Sequence, residues 1–267
     1  LSNYHNCMGT IYEGRYVCGV IAGLKLKEMI DEGIMSAEQA KIGYVAAFPY
    51  AEVISGYTSF YLGVQSVVAE ATMLVKYTNT WSSYSLEKQV AQELIDEGCV
   101  IISQHSDTIG PATVCESADQ NIPVYHVGYN QSMTDVAPTR SLVSCSVDYS
   151  YYFEQSIGAL LRDEKIEDCI DGKVYGQDAM AGLEEGWVRI LDINQAIVPA
   201  DTEETVEKTI HRLVTGEKKV FAGPFTGVNP YDENDQVDLK TTVFEENKTS
   251  SSPTFCYVLD DVITVIE

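Results

Sequence analysis

The chain has 267 residues, of which 45% are hydrophobic and 21% are charged, and its formal net charge is −23. This is the composition of a globular protein that is long enough to bury a sizeable core. The strongly negative charge argues against nucleic acid as a partner, because such a surface repels the phosphate backbone.

Three features bear on the class of protein. No apolar run approaches the ~20 residues that span a bilayer. The first residue is Leu rather than Met, and no basic and apolar leader opens the sequence, so we expect the chain to be part of a longer or processed protein. Seven cysteines are scattered without a Cys-x-x-Cys pair, which argues against a disulfide framework and a structural zinc site.

The first part of the chain alternates helix and strand patterns. Apolar spacing predicts a helix over residues 12–30, a strand over 41–48 and a weaker helix over 51–68. A strand over 73–81 precedes a helix with Ser85 as its N-cap and Gly98 as its stop. A strand over 99–107, a helix over 111–119 and a strand over 122–130 follow. This alternation predicts a parallel sheet with right-handed crossovers, a doubly wound α/β fold.

The remaining elements are predicted less regularly. A short strand over residues 141–146 leads into a helix over 151–161, and a further helix begins at residue 201 and stops at Gly216. The tail contains strand-like segments at 220–222, 237–244 and 254–266.

Aromatic and polar residues follow four successive strands of the predicted sheet. The first two strands end at Phe48 and Trp81, the third at His105, Ser106 and Asp107, and the fourth at Tyr129 and Asn130. In an open parallel sheet the carboxyl ends of the strands line the crevice in which ligands bind. The sequence therefore predicts one wall of a small-molecule site.

The two aromatic residues suit a planar ligand. A Trp81 ring at a strand end can stack on a base, and such stacking contributes ~1–3 kcal/mol. The alternatives are that Trp81 closes the core of its own domain, and that Phe48 with Pro49 simply ends a strand.

His105, Ser106 and Asp107 do not predict a catalytic triad. Neighbouring strand residues point to opposite faces, and no Gly-x-Ser-x-Gly elbow is present. Hydrogen bonds to ring nitrogens of a ligand are the simpler interpretation, and an N-cap role for Asp107 or Thr108 is the structural alternative. A metal site with His126 has no standard spacing, so we predict neither a metal nor a cofactor.

The strand-end segments carry a resemblance to a known family. YVAAFPYAEV, TNTWSSYSLEKQVAQELIDEG, ISQHSDT and VYHVGYNQSM resemble, in order and spacing, the basic membrane protein family of solute-binding lipoproteins. IYEGRYVCGVIAGL upstream and SVDYSYYFEQSIGALL downstream also fit its pattern. That family serves ABC-type importers of purine nucleosides and nucleobases.

The resemblance implies a type I periplasmic-binding-protein fold, in which two α/β lobes close on a ligand. The family's opening βαβ segment has no match here, so we expect an N-terminally truncated form. The implied division is a remnant of the first lobe over residues 1–40, the second lobe over 41–148, and returning elements of both lobes over 149–267.

The resemblance also bears on the ligand. The nucleoside-binding branch of the family has Asp at the position of Asn130 and a Lys near Cys145. Asn130 offers both a donor and an acceptor, which suits an adenine-like edge. We therefore expect Asn130 and Cys145 to belong to the site. The two departures from the nucleoside-binding branch favour a free base such as adenine or hypoxanthine over a purine nucleoside.

The leading hypothesis is a non-enzymatic solute-binding component that delivers a purine to an ABC permease. It is then extracytoplasmic, either lipid-anchored at the cell membrane or periplasmic. The alternatives are the ligand-sensing domain of a regulatory protein and an enzyme that processes nucleosides. An exposed apolar crevice surface would also favour self-association of the fragment.

Overall fold

The computed structural model describes residues 4–267. Six helices run through this part of the chain: α1 (Ile11–Asp31), α2 (Ala51–Gln65), α3 (Tyr84–Asp96), α4 (Gly110–Ser117), α5 (Ser150–Leu161) and α6 (Thr202–Val214). The first six strands are β1 (Asn6–Gly9), β2 (Lys41–Ala46), β3 (Thr72–Tyr77), β4 (Ile101–His105), β5 (Tyr125–Tyr129) and β6 (Ser141–Val147). The others are β7 (Lys173–Tyr175), β8 (Asp178–Ala181), β9 (Val188–Leu191), β10 (Thr226–Asn229), β11 (Asp232–Asp238), β12 (Val258–Leu259) and β13 (Ile263–Ile266).

A seven-stranded sheet forms the centre, in the order β13-β3-β2-β4-β5-β6-β9. All its neighbouring strands are parallel except β9, which runs antiparallel to β6. Helices α1 and α2 cover one face, and α3 and α4 cover the other. The predicted doubly wound α/β class is confirmed.

Two glycines allow α1 and α2 to lie close together on their face of the sheet. A Cβ on Gly19 would stand 2.1 Å from the carbonyl oxygen of Phe60, and one on Gly63 would stand 2.2 Å from that of Tyr16. The absence of side chains at these positions therefore sets the distance between the helices. Helix α1 packs on α2, on strands β6 and β9 of the large sheet, and on α6. The division implied by the resemblance, with a remnant of the first lobe over residues 1–40, a second lobe over 41–148 and returning elements over 149–267, stays a prediction, and residues 1–3 lie outside the described part.

A smaller sheet has the order β1-β8-β7, with β1 parallel to β8. Helix α5 covers one of its faces with Tyr152, whose ring meets the fully buried Trp187 edge-on at 5.7 Å. The opposite side of α5 is exposed and apolar. Among residues 4–267, no helix combines the length and the apolar character that a bilayer span requires.

The tail differs from the sequence-based prediction. Strands β10, β11 and β12 form an antiparallel sheet, and β13 extends the large sheet beside β3. The predicted strand at 220–222 is not a strand, because Phe221 instead stacks on Phe255 at 4.2 Å in an aromatic cluster. The strand predicted at 237–244 lies at 232–238, where pairing with β10 fixes it.

His126 is a buried histidine that makes the stability of this fold depend on pH. The side chain on β5 is fully buried, and its Nε2 lies 3.0 Å from Oε1 of Gln104. Burial, with a smaller effect of the Arg15 charge, lowers the pKa of His126 to about 3. The unfolded chain therefore binds a proton below about pH 6.5 that the folded chain excludes.

We expect the free energy of unfolding to fall by on the order of 3 kcal/mol from this residue between about pH 6.5 and pH 4. Urea unfolding at a series of pH values measures it, and the His126→Gln variant serves as the control without an imidazole. Identical pH slopes for the two proteins would contradict the prediction.

Candidate functional site

The carboxyl ends of strands β2 to β5 meet at one edge of the large sheet, and backbone hydrogen bonds join their loops. The amide of Ala47 donates to the carbonyl oxygen of His105 at 3.1 Å, and the amide of Asp107 donates to that of Trp81 at 2.8 Å. The amide of Asn130 donates to the carbonyl oxygen of Cys145 at 2.8 Å. The predicted strand-end residues therefore lie along one edge, which we call the crevice edge.

Three aromatic rings form a group at this edge, which we call the aromatic cluster: Phe48, Tyr50 and Trp81. The rings of Phe48 and Tyr50 stack at 5.1 Å with an interplanar angle of 19°. Trp81 meets Phe48 edge-on at 5.6 Å and Tyr50 at 6.3 Å. Phe48 and Trp81 are half-buried, whereas Tyr50 is 53% exposed. Sequence reasoning did not select Tyr50, although it stands in the same strand-end segment.

His105 lies under the crevice edge and is fully buried. Its ring lies 4.1 Å from that of Tyr129, and a Cβ on Gly56 of α2 would stand 2.4 Å from its Nδ1. Among residues 4–267, neither ring nitrogen has a hydrogen-bond partner, while Nε2 is 3.8 Å from Oε1 of Glu52. Burial lowers the pKa of His105, and the neighbouring imidazole lowers the pKa of Glu52.

Glu52 was missed by the sequence analysis. It lies in the first turn of α2, directly after the aromatic cluster segment, and its side chain is 32% exposed. A carboxylate at a helix N-terminus is favoured by the helix dipole. Its position beside His105 depends on how α2 packs on the sheet, so no local pattern in the sequence indicates it.

Ser106 points to the opposite face of the sheet from His105. Its buried hydroxyl donates to Oε2 of Glu87 at 2.7 Å, and the amide of Thr108 donates to the same oxygen at 3.1 Å. The amide of Ser83, the residue before α3, donates to Oε1 of Glu87 at 3.1 Å. His105 and Ser106 therefore form no base–nucleophile relay, and the N-cap of α3 is Ser83 rather than the predicted Ser85.

Asp107 and Asn130 are exposed polar residues at the crevice edge. Asp107 follows Ser106 in the loop that Glu87 holds, so its carboxylate is presented to solvent. Asn130 has a φ of 59°, a left-handed conformation that Asn tolerates well. Tyr129, only 6% exposed, contributes the ring beneath this loop.

Cys145 lies in the interior below the crevice edge, next to a buried arginine. Its Sγ is 3.8 Å from Nη1 of Arg15, and both side chains are fully buried. A hydrogen bond from Cys18 and the positive charge of Arg15 lower the pKa of Cys145 to about 7. Cys145 thus contacts Arg15 rather than the crevice surface.

Arg15 was also missed by the sequence analysis. Its guanidinium donates to the carbonyl oxygen of Gly128 at 2.9 Å and to the hydroxyl of Ser103. It also lies 5.4 Å and 5.0 Å from the ring centres of Tyr44 and Phe60. One side chain from α1 therefore joins strands β2, β4 and β5 just below the crevice edge.

The edge provides flat aromatic surfaces, an exposed carboxylate and an exposed amide. This arrangement can hold a planar polar molecule by stacking and by hydrogen bonds to its edge. Across residues 4–267, no group of three or more His, Cys, Asp or Glu side chains is placed to hold a metal ion.

Two relatives with assigned names are similar in sequence. A purine-binding protein of Brucella abortus is 32% identical over 213 residues, which cover 80% of this chain and 53% of that protein. TsgA13 of Haloferax volcanii, provisionally named as an ABC transporter glucose-binding protein, is 32% identical over 221 residues, or 83% of this chain and 50% of that protein. The chain thus spans about half the length of these relatives.

Solved structures share the fold at low identity. A solute-binding protein of an ABC transporter system from Aeropyrum pernix matches with a TM-score of 0.64 and 16% identity, over 85% of this chain and 67% of that chain. A transcriptional activator of the comK gene from Bacillus halodurans matches with a TM-score of 0.59 and 15% identity, over 79% of this chain and 65% of that chain.

The family comparison agrees with the motifs at the crevice edge. The model of the family described as "ABC transporter substrate-binding protein PnrA-like" matches residues 2–216, which include every strand end described above. The resemblance noted in the sequence is confirmed: the chain belongs to the PnrA-like family of ABC transporter substrate-binding proteins.

Proposed function

We propose that this protein captures a purine base or purine nucleoside without chemical change and delivers it to an ABC permease. The observation that carries the proposal is the aromatic cluster of Phe48, Tyr50 and Trp81 beside the exposed Asp107 and Asn130. The name of the Brucella abortus relative supports a purine. Because the substrate-binding proteins of ABC importers act outside the cytoplasm, we propose that location for this protein, with a lipid anchor at the membrane.

The proposed contacts divide between stacking and edge recognition. The half-buried rings of Phe48 and Trp81 receive the flat face of the base, since every purine offers a π-face. Asp107 accepts hydrogen bonds from ring N–H or amino groups, and Asn130 both donates and accepts. Tyr129 and His105 form the layer below.

Two sequence-predicted residues act indirectly in this proposal. The hydroxyl of Ser106 is bound to Glu87, and the thiol of Cys145 lies beside Arg15. They therefore shape the loops rather than contact the ligand. Because Asn130 and Cys145 replace the residues of the nucleoside-binding branch, we favour a free base such as adenine or hypoxanthine.

The proposal predicts a rise in the melting temperature of the full-length protein when a purine binds. At a hundredfold excess over Kd the stabilisation is ~2.7 kcal/mol, which corresponds to roughly 5–10 °C. A panel of adenine, hypoxanthine, adenosine and guanosine, followed by differential scanning fluorimetry, measures the shift. No shift with any of the four would sink the proposal.

The same assay tests Trp81. Replacing it with Ala removes one stacking surface, so we expect a 5–150-fold weaker Kd, about 1–3 kcal/mol. Tyr175→Ala, which truncates an exposed aromatic residue on β7, is the control and should bind like the parent protein. An unchanged Kd for Trp81→Ala would show that this residue only closes the core.

Two further expectations stay predictions. Self-association of the chain is supported by four exposed apolar side chains along α5: Phe153, Ile157, Leu160 and Leu161. A ligand-sensing role in regulation remains the second hypothesis, and its structural neighbour from Bacillus halodurans shows only a shared fold.

A further inference from the structure

A hairpin outside the family match reaches the crevice edge. Strands β10 and β11 pair in an antiparallel hairpin within residues 217–267, which lie beyond the matched segment. Tyr231 stands at its tip, between Asn229 and Asp232. Its ring is 68% exposed, yet its hydroxyl donates to the carbonyl oxygen of Pro49 at 3.0 Å.

The contact with Tyr231 is important for the site because of where Pro49 lies. Pro49 separates Phe48 from Tyr50, two of the three rings in the aromatic cluster. Pro has no amide hydrogen, so its backbone is fixed to neighbours only through its carbonyl group. A donor on that carbonyl therefore restrains the loop from which both rings project.

The hairpin that carries Tyr231 is itself well anchored. Asp235 accepts hydrogen bonds from Nδ2 of Asn229 and from the hydroxyl of Tyr257, each at 2.9 Å. Thr226 at the start of β10 donates to Asp260 at 2.6 Å, and β10 also pairs with β12. The donor is thus presented by a paired sheet rather than by a free loop.

Tyr231 also lies near two other phenols, those of Tyr57 and Tyr77. The hydroxyls of Tyr57 on α2 and Tyr77 at the end of β3 are 3.4 Å apart. Burial raises the pKa of both, and the proximity of Tyr231 adds to the effect. The Tyr57–Tyr77 contact joins α2 to the end of β3.

We propose that Tyr231 is a positioning residue of the binding site: its hydroxyl holds the Pro49 carbonyl and so fixes the aromatic cluster that receives the ligand. This inference rests on the proposed function for its ligand, but the positioning itself is measurable without one. A segment outside the family match thereby takes part in the site.

The experiment compares the full-length protein with Tyr231→Phe, which removes only the hydroxyl group. Of the two tryptophans in this chain, acrylamide quenching of fluorescence reports on Trp81, because Trp187 is fully buried and Trp81 is half-buried. We expect about a twofold larger quenching constant and faster amide exchange at the start of α2, since one hydrogen bond is lost. Tyr175→Phe, which removes an exposed hydroxyl elsewhere, should match the parent.

Ligand binding gives the second readout. If adenine or hypoxanthine binds the parent, Tyr231→Phe should weaken its Kd about 2–10-fold, the effect of one hydrogen bond. If no purine binds the parent but quenching and exchange change as expected, the proposed function fails and the positioning role stands. Unchanged quenching and exchange would overturn the inference, whether or not the Kd changes.

Discussion

Replacing Arg15 with Ala is expected to lower the free energy of unfolding by about 3–5 kcal/mol. The variant opens a cavity between α1 and the sheet, and it leaves the carbonyl of Gly128 and the hydroxyl of Ser103 without their donor. It also removes a planar cation that lies 5.4 Å and 5.0 Å from the ring centres of Tyr44 and Phe60. Urea unfolding followed by circular dichroism measures the loss.

Two further variants show how much of the loss comes from the cavity and how much from the charge of the arginine. Arg15→Met keeps most of the volume and buries no charge, so it should recover more than half of the loss, because buried charges are costly to desolvate. Arg189→Ala removes an exposed arginine that pairs with Asp148, and should cost less than about 1 kcal/mol. A loss below about 1 kcal/mol for Arg15→Ala would contradict the role assigned to this residue.

Replacing Glu87 with Ala is the second change with a large expected effect, a loss of about 2–4 kcal/mol. The carboxylate is fully buried and accepts hydrogen bonds from Ser83, Ser106 and Thr108. Without it, three donors lose their partner inside the protein. The start of α3 and the loop with Asp107 should both loosen.

The two effects of Glu87 are measured separately. Chemical unfolding gives the stability, and amide hydrogen exchange of residues 106–109 reports on the loop. Glu97→Ala, at an exposed position just after the same helix, is the matched control and should change neither. Slow exchange in the loop of Glu87→Ala would show that another contact holds it.

The order of elements from residue 41 to 130 could be predicted closely, because each element carries its own local pattern. Strands β2 to β5 carry short apolar segments, and α3 ends where Gly98 takes a φ of +86°. The strand-end residues Phe48, Trp81 and Asp107 meet at one edge because parallel strands bring their carboxyl ends together. That part of the site follows from sequence order alone.

The residues that hold the site in place could not be predicted in this way. Arg15, Glu52 and Glu87 lie on helices, and their contacts depend on how each helix packs on the sheet. Tyr231 is 182 positions from Pro49 in the chain. Strands β8, β10 and β11 contain Gly, Asp or Asn, so pairing with other strands defines them rather than local propensity.

The central claim is that the crevice edge receives a planar purine. Its most direct test is isothermal titration of the full-length protein with adenine, hypoxanthine and glucose, since the two named relatives are assigned a purine and a glucose ligand. Stacking surfaces at Phe48 and Trp81 predict saturable binding of a purine base and none of glucose. Binding of glucose without binding of either purine would contradict the account.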